Sequence, residues 1–258
     1  MLKKLFSRRL SSTKAPQASL PAGERLYAIG DIHGRLDLLQ QLIRTIEEDD
    51  AARAPMDSTI LFLGDLVDRG PESAQVVSYL LGLKQRRAPE RTRFLLGNHE
   101  EVFLAAAAGD EKALRFFTKI GGRETILSYG ISEERYGALD YPELLTEFQA
   151  RVPVEHRAFI TSFDDIIVLG DYAFVHAGIR STEPLAAQRP KDLRWIREGF
   201  LDVTAPFEKV IVHGHTIVPD VEELPNRIAL DTGAYRSGKL TAMGFEGSQR
   251  WVLSAVQK

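Results

Sequence analysis

The sequence predicts an α/β fold in which two mixed β-sheets pack together and are flanked by helices, with a helical insertion between the halves. Over residues 24–108, short apolar runs alternate with segments whose apolar residues recur at helical spacing. This alternation is typical of βαβ units on a largely parallel sheet. Residues 110–163 hold helical patterns and no clear strand, and several apolar runs then follow closely. Their short connections predict a mixed or antiparallel sheet in the second half.

The elements of the first half are predicted in the order strand, helix, strand, helix, strand. The strands are RLYAI, STILFL and TRFLL, and a helix with apolar residues from Leu36 to Ile46 follows the first of them. Pro71 marks a plausible start for the second helix, and an alanine-rich helix is predicted near residues 100–108. The strands expected in the second half are DIIVL, YAFV, KVIV, RIAL, KLTAMGF and RWVLSAV.

Residues 1–23 differ from the rest of the chain and are predicted to be a disordered basic tail before one domain over residues 24–258. The tail holds five Lys and Arg and no acid, which leaves 28 basic residues against 36 acidic ones in the remainder. An acidic body argues against nucleic acid as a partner. Within the tail, one helical face would carry apolar residues and predicts a weak membrane contact as the alternative: Leu2, Leu5, Phe6 and Leu10.

The composition excludes several classes of protein. Cysteine is absent, so disulfides and a cysteine nucleophile are excluded. No apolar stretch approaches the roughly 20 residues that a transmembrane helix needs, and the tail lacks the apolar core of a signal peptide. We therefore expect a cytoplasmic monomer.

Polar side chains with metal-binding chemistry follow one predicted strand after another. Because ligands collect at the carboxyl ends of strands in open α/β sheets, we expect these side chains to converge. Asp, His and Asn donors suit first-row divalent metals, and there are enough of them for two ions that share a carboxylate. The side chains, in chain order, are Asp31 and His33, then Asp65, Asp68 and Arg69, then Asn98 and His99, then His176, and last His213 and His215.

The motifs GDIHG, GDLVDRG, GNHE, HAG and HGHT, in this order, resemble those of the phosphoprotein phosphatase branch of the calcineurin-like metallophosphoesterases. The likeness is greatest to the small serine/threonine phosphatases of bacteria and phages, and it covers roughly residues 24–258. The stretches KIGGRETILSYG and IALDTGA also resemble bacterial members. The resemblance implies the two-sheet metallophosphoesterase architecture.

The resemblance also implies a role for each matching residue. His99 would be the general acid for the leaving oxygen, and Asp68 would orient it. Arg69, Asn98 and Arg197 would bind phosphate oxygens, although Arg180, Arg189 and Arg194 lie near enough in sequence to replace Arg197. His213 would be structural. Two divalent metal ions, manganese first, with iron and zinc as alternatives, would be held by Asp31, His33, Asp65, Asn98, His176 and His215, with Asp65 as the bridge.

The activity that the resemblance implies is hydrolysis of serine or threonine phosphate in protein substrates, by direct in-line attack of a metal-activated hydroxide. Tyrosine phosphate stays open. The alternative is a hydrolase of symmetrical dinucleoside tetraphosphates, whose family shares the fold but commonly lacks the residue matching Asp68 and often has Asp at the position of Glu100. These two residues therefore favour the protein phosphatase. A third reading is an inactive scaffold, and retention of His99 and Asp68 speaks against it.

Overall fold

The structure is a computed structural model that describes residues 17–257. Its strands are β1 (Arg25–Ile29), β2 (Ser58–Phe62), β3 (Thr92–Phe94), β4 (Ile166–Leu169), β5 (Tyr172–Val175), β6 (Val210–His213), β7 (Glu222–Glu223), β8 (Arg227–Ala229), β9 (Lys239–Glu246) and β10 (Gln249–Val256). Its α-helices are α1 (Leu36–Ala52), α2 (Ser73–Arg86), α3 (Asn98–Ala107), α4 (Glu111–Ile120), α5 (Gly122–Ser128), α6 (Glu133–Ala138), α7 (Tyr141–Arg151), α8 (Val154–Thr161), α9 (Pro190–Trp195) and α10 (Ala234–Ser237).

The strands form two five-stranded sheets, ordered β10-β9-β1-β2-β3 and β4-β5-β6-β8-β7. Within the first sheet, β1, β2 and β3 are parallel, and within the second, β5, β6 and β8 are parallel. The predicted α/β architecture of two mixed sheets is confirmed. One expectation is corrected: the last two strands join the first sheet, because β9 pairs antiparallel with the whole of β1.

The alternation of side chains along β1 shows how the layers pack. Leu26 and Ala28 face the apolar layer between the two sheets, whereas Tyr27 and Ile29 face the layer covered by helices. Successive residues of a strand point to opposite faces, so a strand covered on both faces reads as a continuous apolar run. This explains why polar and apolar residues do not alternate along RLYAI, all of whose residues are buried.

Residues 111–161 contribute α4 to α8, which pack on the helical side of the first sheet through the cluster that includes Phe117 and Phe148. Helix α2 begins at Ser73, two residues after the Pro71 expected to start it. No helix in residues 17–257 has both the length and the apolar character needed to cross a membrane.

Residues 17–23 pack against the fold, which corrects the predicted boundary of the tail. Leu20 is 3% exposed and belongs to the layer between the sheets, and its N–H donates to the carbonyl of Gly247 at 2.9 Å. The Tyr172 hydroxyl donates to the carbonyl of Ala18 at 2.9 Å. Burial of one apolar side chain thus holds this segment in place. Residues 1–16, including the predicted membrane-contact face, lie outside the described residues.

Candidate metal and phosphate site

The polar residues singled out in the sequence come together at the carboxyl ends of the parallel strands. Asp31 and His33 follow β1, Asp65 follows β2, and His176 follows β5. Asn98 and His99 open α3 just after β3, His215 follows β6, and all of these side chains are at most 7% exposed. The loops that follow parallel strands meet at one edge, so residues far apart in sequence become neighbours.

Two groups of donor atoms share the Asp65 carboxylate. One joins Asp65 to His33 and His99, and the other joins it to His176 and His215, with the donor atoms of each group within 4.8 Å of one another. Oδ2 of Asp65 lies 3.6 Å from Nε2 of His33, and Oδ1 lies 3.3 Å from Nε2 of His176. The first group thus includes His99, which the resemblance assigns as the general acid, and Asp31 joins the site through the backbone N–H of His215.

Backbone carbonyls orient two of these imidazoles. Nδ1 of His33 lies 2.8 Å from the Val67 carbonyl, and Nδ1 of His176 lies 2.8 Å from the Leu63 carbonyl. A carbonyl can only accept, so each Nδ1 carries the proton and donates it. Such a contact fixes the tautomer of a metal-ligating histidine, and it leaves the Nε2 lone pair in the neutral ring directed at Asp65.

Acceptor atoms crowd around Nε2 of His176. Oδ1 of Asn98 lies 3.0 Å away, Nδ1 of His215 lies 3.2 Å away, and Oδ1 of Asp65 lies 3.3 Å away. One proton can satisfy at most one of these contacts, whereas a cation can accept several lone pairs at once. Among residues 17–257, the buried Nε2 of His215 also has no hydrogen-bond partner. This donor set fits divalent transition metals.

Burial in the site shifts the pKa values of its carboxylates and imidazoles. Burial, followed by repulsion from Asp231 and Asp65, raises the pKa of Asp31 well above its usual value. Burial would also raise the pKa of Asp65, but the charges of His176 and His99 outweigh it and lower that pKa well below its usual value. Burial and His176 lower the pKa of His215 to about 2. Bound cations would relieve the carboxylate repulsion.

An imidazole–carboxylate pair and an arginine lie beside the donor groups. Nδ1–H of His99 donates to Oδ2 of Asp68 at 2.6 Å, and the Arg69 guanidinium reaches Nε2 of both His33 and His99 at 3.0 Å. Nη2 of Arg197 lies 3.4 Å from the His215 carbonyl. The site therefore combines acceptors for cations with cationic groups for an anion.

The three arginines considered as alternatives to Arg197 have other surroundings. Arg180 is paired with Asp192, and Arg194 with Asp165. Arg189 precedes α9, where its carbonyl accepts backbone hydrogen bonds. Arg197 is thus the one of the four that the structure places against the donor groups.

Backbone strain is concentrated in these loops. The non-glycine residues of the described chain with positive φ all belong to the candidate site: His33, Asp65, Asp68, Arg69 and His215. Left-handed backbone is costly for such residues and persists where surrounding contacts enforce it. The loop also needs glycine at position 97 for a steric reason, because a Cβ on Gly97 would collide with the Asp65 carboxylate.

Two buried acids of the site received no role in the sequence analysis. Glu100 accepts hydrogen bonds from the backbone N–H groups of Asp65, Leu66, Val67 and Gly97. Glu100 is the third residue of α3, and its bond to the N–H of Gly97 is the half of a capping box that an N3 glutamate supplies; glycine has no side chain for the other half. Burial raises the pKa of Glu100 to about 7.

Asp231 is the second such acid and lies just after β8, close to Asp31. The sequence could have indicated Asp231 in the same way as the other site residues, because it is a carboxylate that follows a predicted strand. His213, in contrast, packs its buried ring against Phe200, with centroids 5.1 Å apart, as expected of a structural histidine.

The model of the family described as Calcineurin-like phosphoesterase matches residues 24–243. The asymmetrical bis(5'-nucleosyl)-tetraphosphatase PrpE of Anoxybacillus flavithermus is 27% identical over 84% of this chain and 89% of its own length. The symmetrical bis(5'-nucleosyl)-tetraphosphatase of Methylococcus capsulatus is 33% identical over 60% of this chain, which spans only 43% of that enzyme.

A solved serine/threonine phosphatase from Saccharomyces cerevisiae superimposes with a TM-score of 0.59 at 16% identity, over 92% of this chain and 81% of its own. At that identity the likeness concerns the fold alone.

Proposed function

Because the chain belongs to the calcineurin-like phosphoesterase family, whose activity implies divalent metals, we propose that it is a metal-dependent hydrolase of dinucleoside tetraphosphates. The observation that carries the hydrolytic chemistry is the buried Asp65 carboxylate shared by two groups of donor atoms. The substrate class is supported by relatives named as tetraphosphatases, one of which aligns over 84% of the chain. Phosphorylated proteins are the second candidate, favoured by the resemblance of the five motifs to those of serine/threonine phosphatases.

The proposed ligands of two divalent ions are Asp31, His33, Asp65, Asn98, His176 and His215. Such ions, when bound, polarise phosphoryl oxygens and activate the attacking water. Asp31 comes within the same site through its contact with the backbone N–H of His215, at 3.0 Å from Oδ2. Manganese remains the proposed metal, with iron and zinc as alternatives for the same donors.

The chain supplies the charge and the proton that phosphoryl transfer needs. Arg69 and Arg197 bring two positive charges toward the phosphoryl oxygens and stabilise the charge that develops there. Burial lowers the pKa of His99, but the charge of Asp65 and the hydrogen bond to Asp68 outweigh it and raise that pKa. A raised pKa favours the protonated imidazole. The proton for the leaving oxygen would be carried by Nε2, the nitrogen that accepts from Arg69 in this structure, so the guanidinium would have to turn from His99 to the phosphoryl oxygens.

Asp68 and Glu100 do not discriminate between the two substrate classes in the way the sequence analysis expected. Asp68 is fully buried and contacts His99, and Glu100 is fully buried and binds backbone N–H groups. Neither side chain reaches the surface on which a leaving group would lie. These two residues therefore hold other groups of the site in place and do not indicate the substrate. The proposed substrate class is supported by the relatives named as tetraphosphatases.

Tyr235 is a side chain at the rim that suits a nucleotide. Its half-buried ring lies with its centroid 4.9 Å from the Arg69 guanidinium carbon and 5.4 Å from the His33 ring centroid. An aromatic face beside a phosphate-binding arginine can stack on a nucleobase.

The test is an assay of purified protein with diadenosine tetraphosphate, a phosphothreonine peptide and a phosphotyrosine peptide, each with and without added manganese. We expect tetraphosphate cleavage that chelation abolishes. Two ADP molecules would identify symmetrical cleavage, and AMP with ATP would identify asymmetrical cleavage. Release of phosphate from a peptide alone would establish the second candidate instead. Turnover that survives both chelation and Asp65→Asn would contradict the metal-dependent chemistry.

A further inference from the structure

The stretch GGRET, residues 121–125, reaches from the helical insertion to the turn that carries Asp68 and Arg69. The backbone N–H of Arg69 donates to the carbonyl of Gly121 at 2.9 Å. The backbone N–H of Asp68 donates to the Thr125 hydroxyl oxygen at 2.8 Å, and that hydroxyl donates to Oδ1 of Asp68 at 2.7 Å. Thr125 is fully buried. Two consecutive residues of the site are thus bound by a segment more than 50 positions away.

The turn needs this support because its backbone is strained. Asp68 has φ 74° and Arg69 has φ 68°, a conformation that side-chain-bearing residues adopt only where their surroundings impose it. Gly121, at φ 115°, allows the close approach, since a Cβ there would lie 2.7 Å from Cγ of Arg69. Gly121 and Thr125 therefore fit this turn, the first through its backbone and the second through its side chain.

The hydrogen bonds around the Asp68 carboxylate can be fully assigned. Oδ2 accepts from Nδ1–H of His99, and Oδ1 accepts from the Thr125 hydroxyl. The Thr125 oxygen can in turn accept from the Ser73 hydroxyl, 2.9 Å away. Each carboxylate oxygen thus has its own donor, so the carboxylate cannot rotate without breaking one of them.

We propose that Thr125 is a positioning residue, which fixes the Asp68 carboxylate and through it the imidazole of His99. The inference rests on the proposed role of His99 as proton donor, and it makes α5 of the insertion a part of the proton-donating apparatus. Threonine is the residue type needed here, because a single hydroxyl both accepts from the Asp68 backbone and donates to its carboxylate.

Thr125→Val tests this proposal with little change in side-chain volume. Misplacing a proton donor slows the departure of poor leaving groups, whereas a good leaving group departs without the proton. We expect kcat for phenyl phosphate to fall about 10- to 100-fold, part of the 10²–10⁴ that a general acid contributes. We expect kcat for p-nitrophenyl phosphate to change little.

A second readout does not depend on activity. The Nδ1 proton of His99, held in a 2.6 Å hydrogen bond, should give a downfield proton NMR signal that His99→Asn removes. In Thr125→Val this signal should broaden through faster exchange with water. The matched control is Ser128→Ala, since the Ser128 hydroxyl bonds the backbone of Thr125 at 2.7 Å and of Ala74 at 3.0 Å, and neither Asp68 nor the Thr125 hydroxyl.

Thr125→Ser keeps the hydroxyl and should restore both readouts, and Thr125→Ala serves if the valine variant does not fold. A Thr125→Val protein whose His99 signal and leaving-group dependence match those of the wild type overturns the proposal. Failure of the wild type to cleave diadenosine tetraphosphate would reject the proposed substrate class and would leave the NMR comparison interpretable.

Discussion

Networks of polar groups lie at both ends of β1, half-buried at one end and buried at the other, and they are arranged in opposite ways. Toward its amino end, the Asp49 carboxylate accepts from the Tyr27 hydroxyl at 2.8 Å, from the Trp251 indole N–H at 2.9 Å and from Nε of Arg53 at 2.8 Å. Burial alone would raise the pKa of Asp49, but these hydrogen bonds lower it. At this end, donors and acceptors match one another.

At the carboxyl end of β1 the acceptors outnumber the donors. Asp65 and Asn98 direct oxygen atoms, and His215 a ring nitrogen, toward Nε2 of His176, and the surrounding loops contain the strained residues. Unmatched buried acceptors are costly in a protein interior. This contrast indicates that the polar groups at one end of β1 stabilise the fold, whereas those at the other end suit the proposed cations.

The largest effect expected from this contrast is on catalysis. Changing His99→Asn removes the proposed proton donor and should lower kcat for phenyl phosphate, a substrate with a poor leaving group, by about 10²–10⁴, because asparagine cannot protonate the leaving oxygen. The free energy of unfolding should change much less than kcat. Steady-state kinetics and elemental analysis for bound metal check this. Full activity in the variant would remove His99 from the scheme.

A change at the opposite end should reverse that pattern. Asp49→Ala leaves the buried Tyr27 hydroxyl and the half-buried Trp251 N–H without their acceptor, and an unmatched buried donor costs about 1–3 kcal/mol. Urea denaturation should therefore show a lower free energy of unfolding, while kcat is unchanged. Glu48→Ala is the matched control, since Glu48 is the exposed preceding residue of α1. Equal effects of the two changes would contradict the contrast.

Much of the fold could be predicted because the relevant signals are local in sequence. The apolar runs and helical spacings of residues 24–108 correspond to β1 to β3 and α1 to α3. The pairing of strands is not local, and nothing within KLTAMGF says that β9 lies beside β1. Likewise, Leu20 and its neighbours read as part of a polar tail, because the pocket that buries Leu20 is formed by distant strands.

The candidate site divides in the same way. The residues that follow strands could be identified because chemistry and position coincide in one short motif, as in GDIHG. Glu100 and Thr125 act on backbone groups of a loop that is distant in sequence, so their roles appear only when the loops are in place. The nearness of His99 to His33 and Asp65 in one donor group depends on distances of a few ångströms, which spacing along the chain does not encode.

The smallest effect expected concerns His156, a titratable group buried in the insertion away from both ends of β1. Its ring nitrogens lie 3.1 Å from the Ser78 hydroxyl and 3.0 Å from the Tyr129 hydroxyl. Burial lowers the pKa of His156 below its usual value of 6.5. Below that pH, the unfolded chain binds a proton at this position more readily than the native protein does.

The free energy of unfolding should therefore fall through this group as the pH decreases below 6.5, and the group should contribute nothing to pH dependence well above it. Glutamine can keep both hydrogen bonds but does not titrate. The difference in unfolding free energy between His156→Gln and the wild type should be constant at higher pH and should shift in favour of the variant toward about pH 5.5. Urea titrations in chelator check this, since the site histidines are common to both proteins and cancel. A difference that does not vary with pH would mean that folding leaves the pKa of His156 unchanged, and it would contradict this prediction.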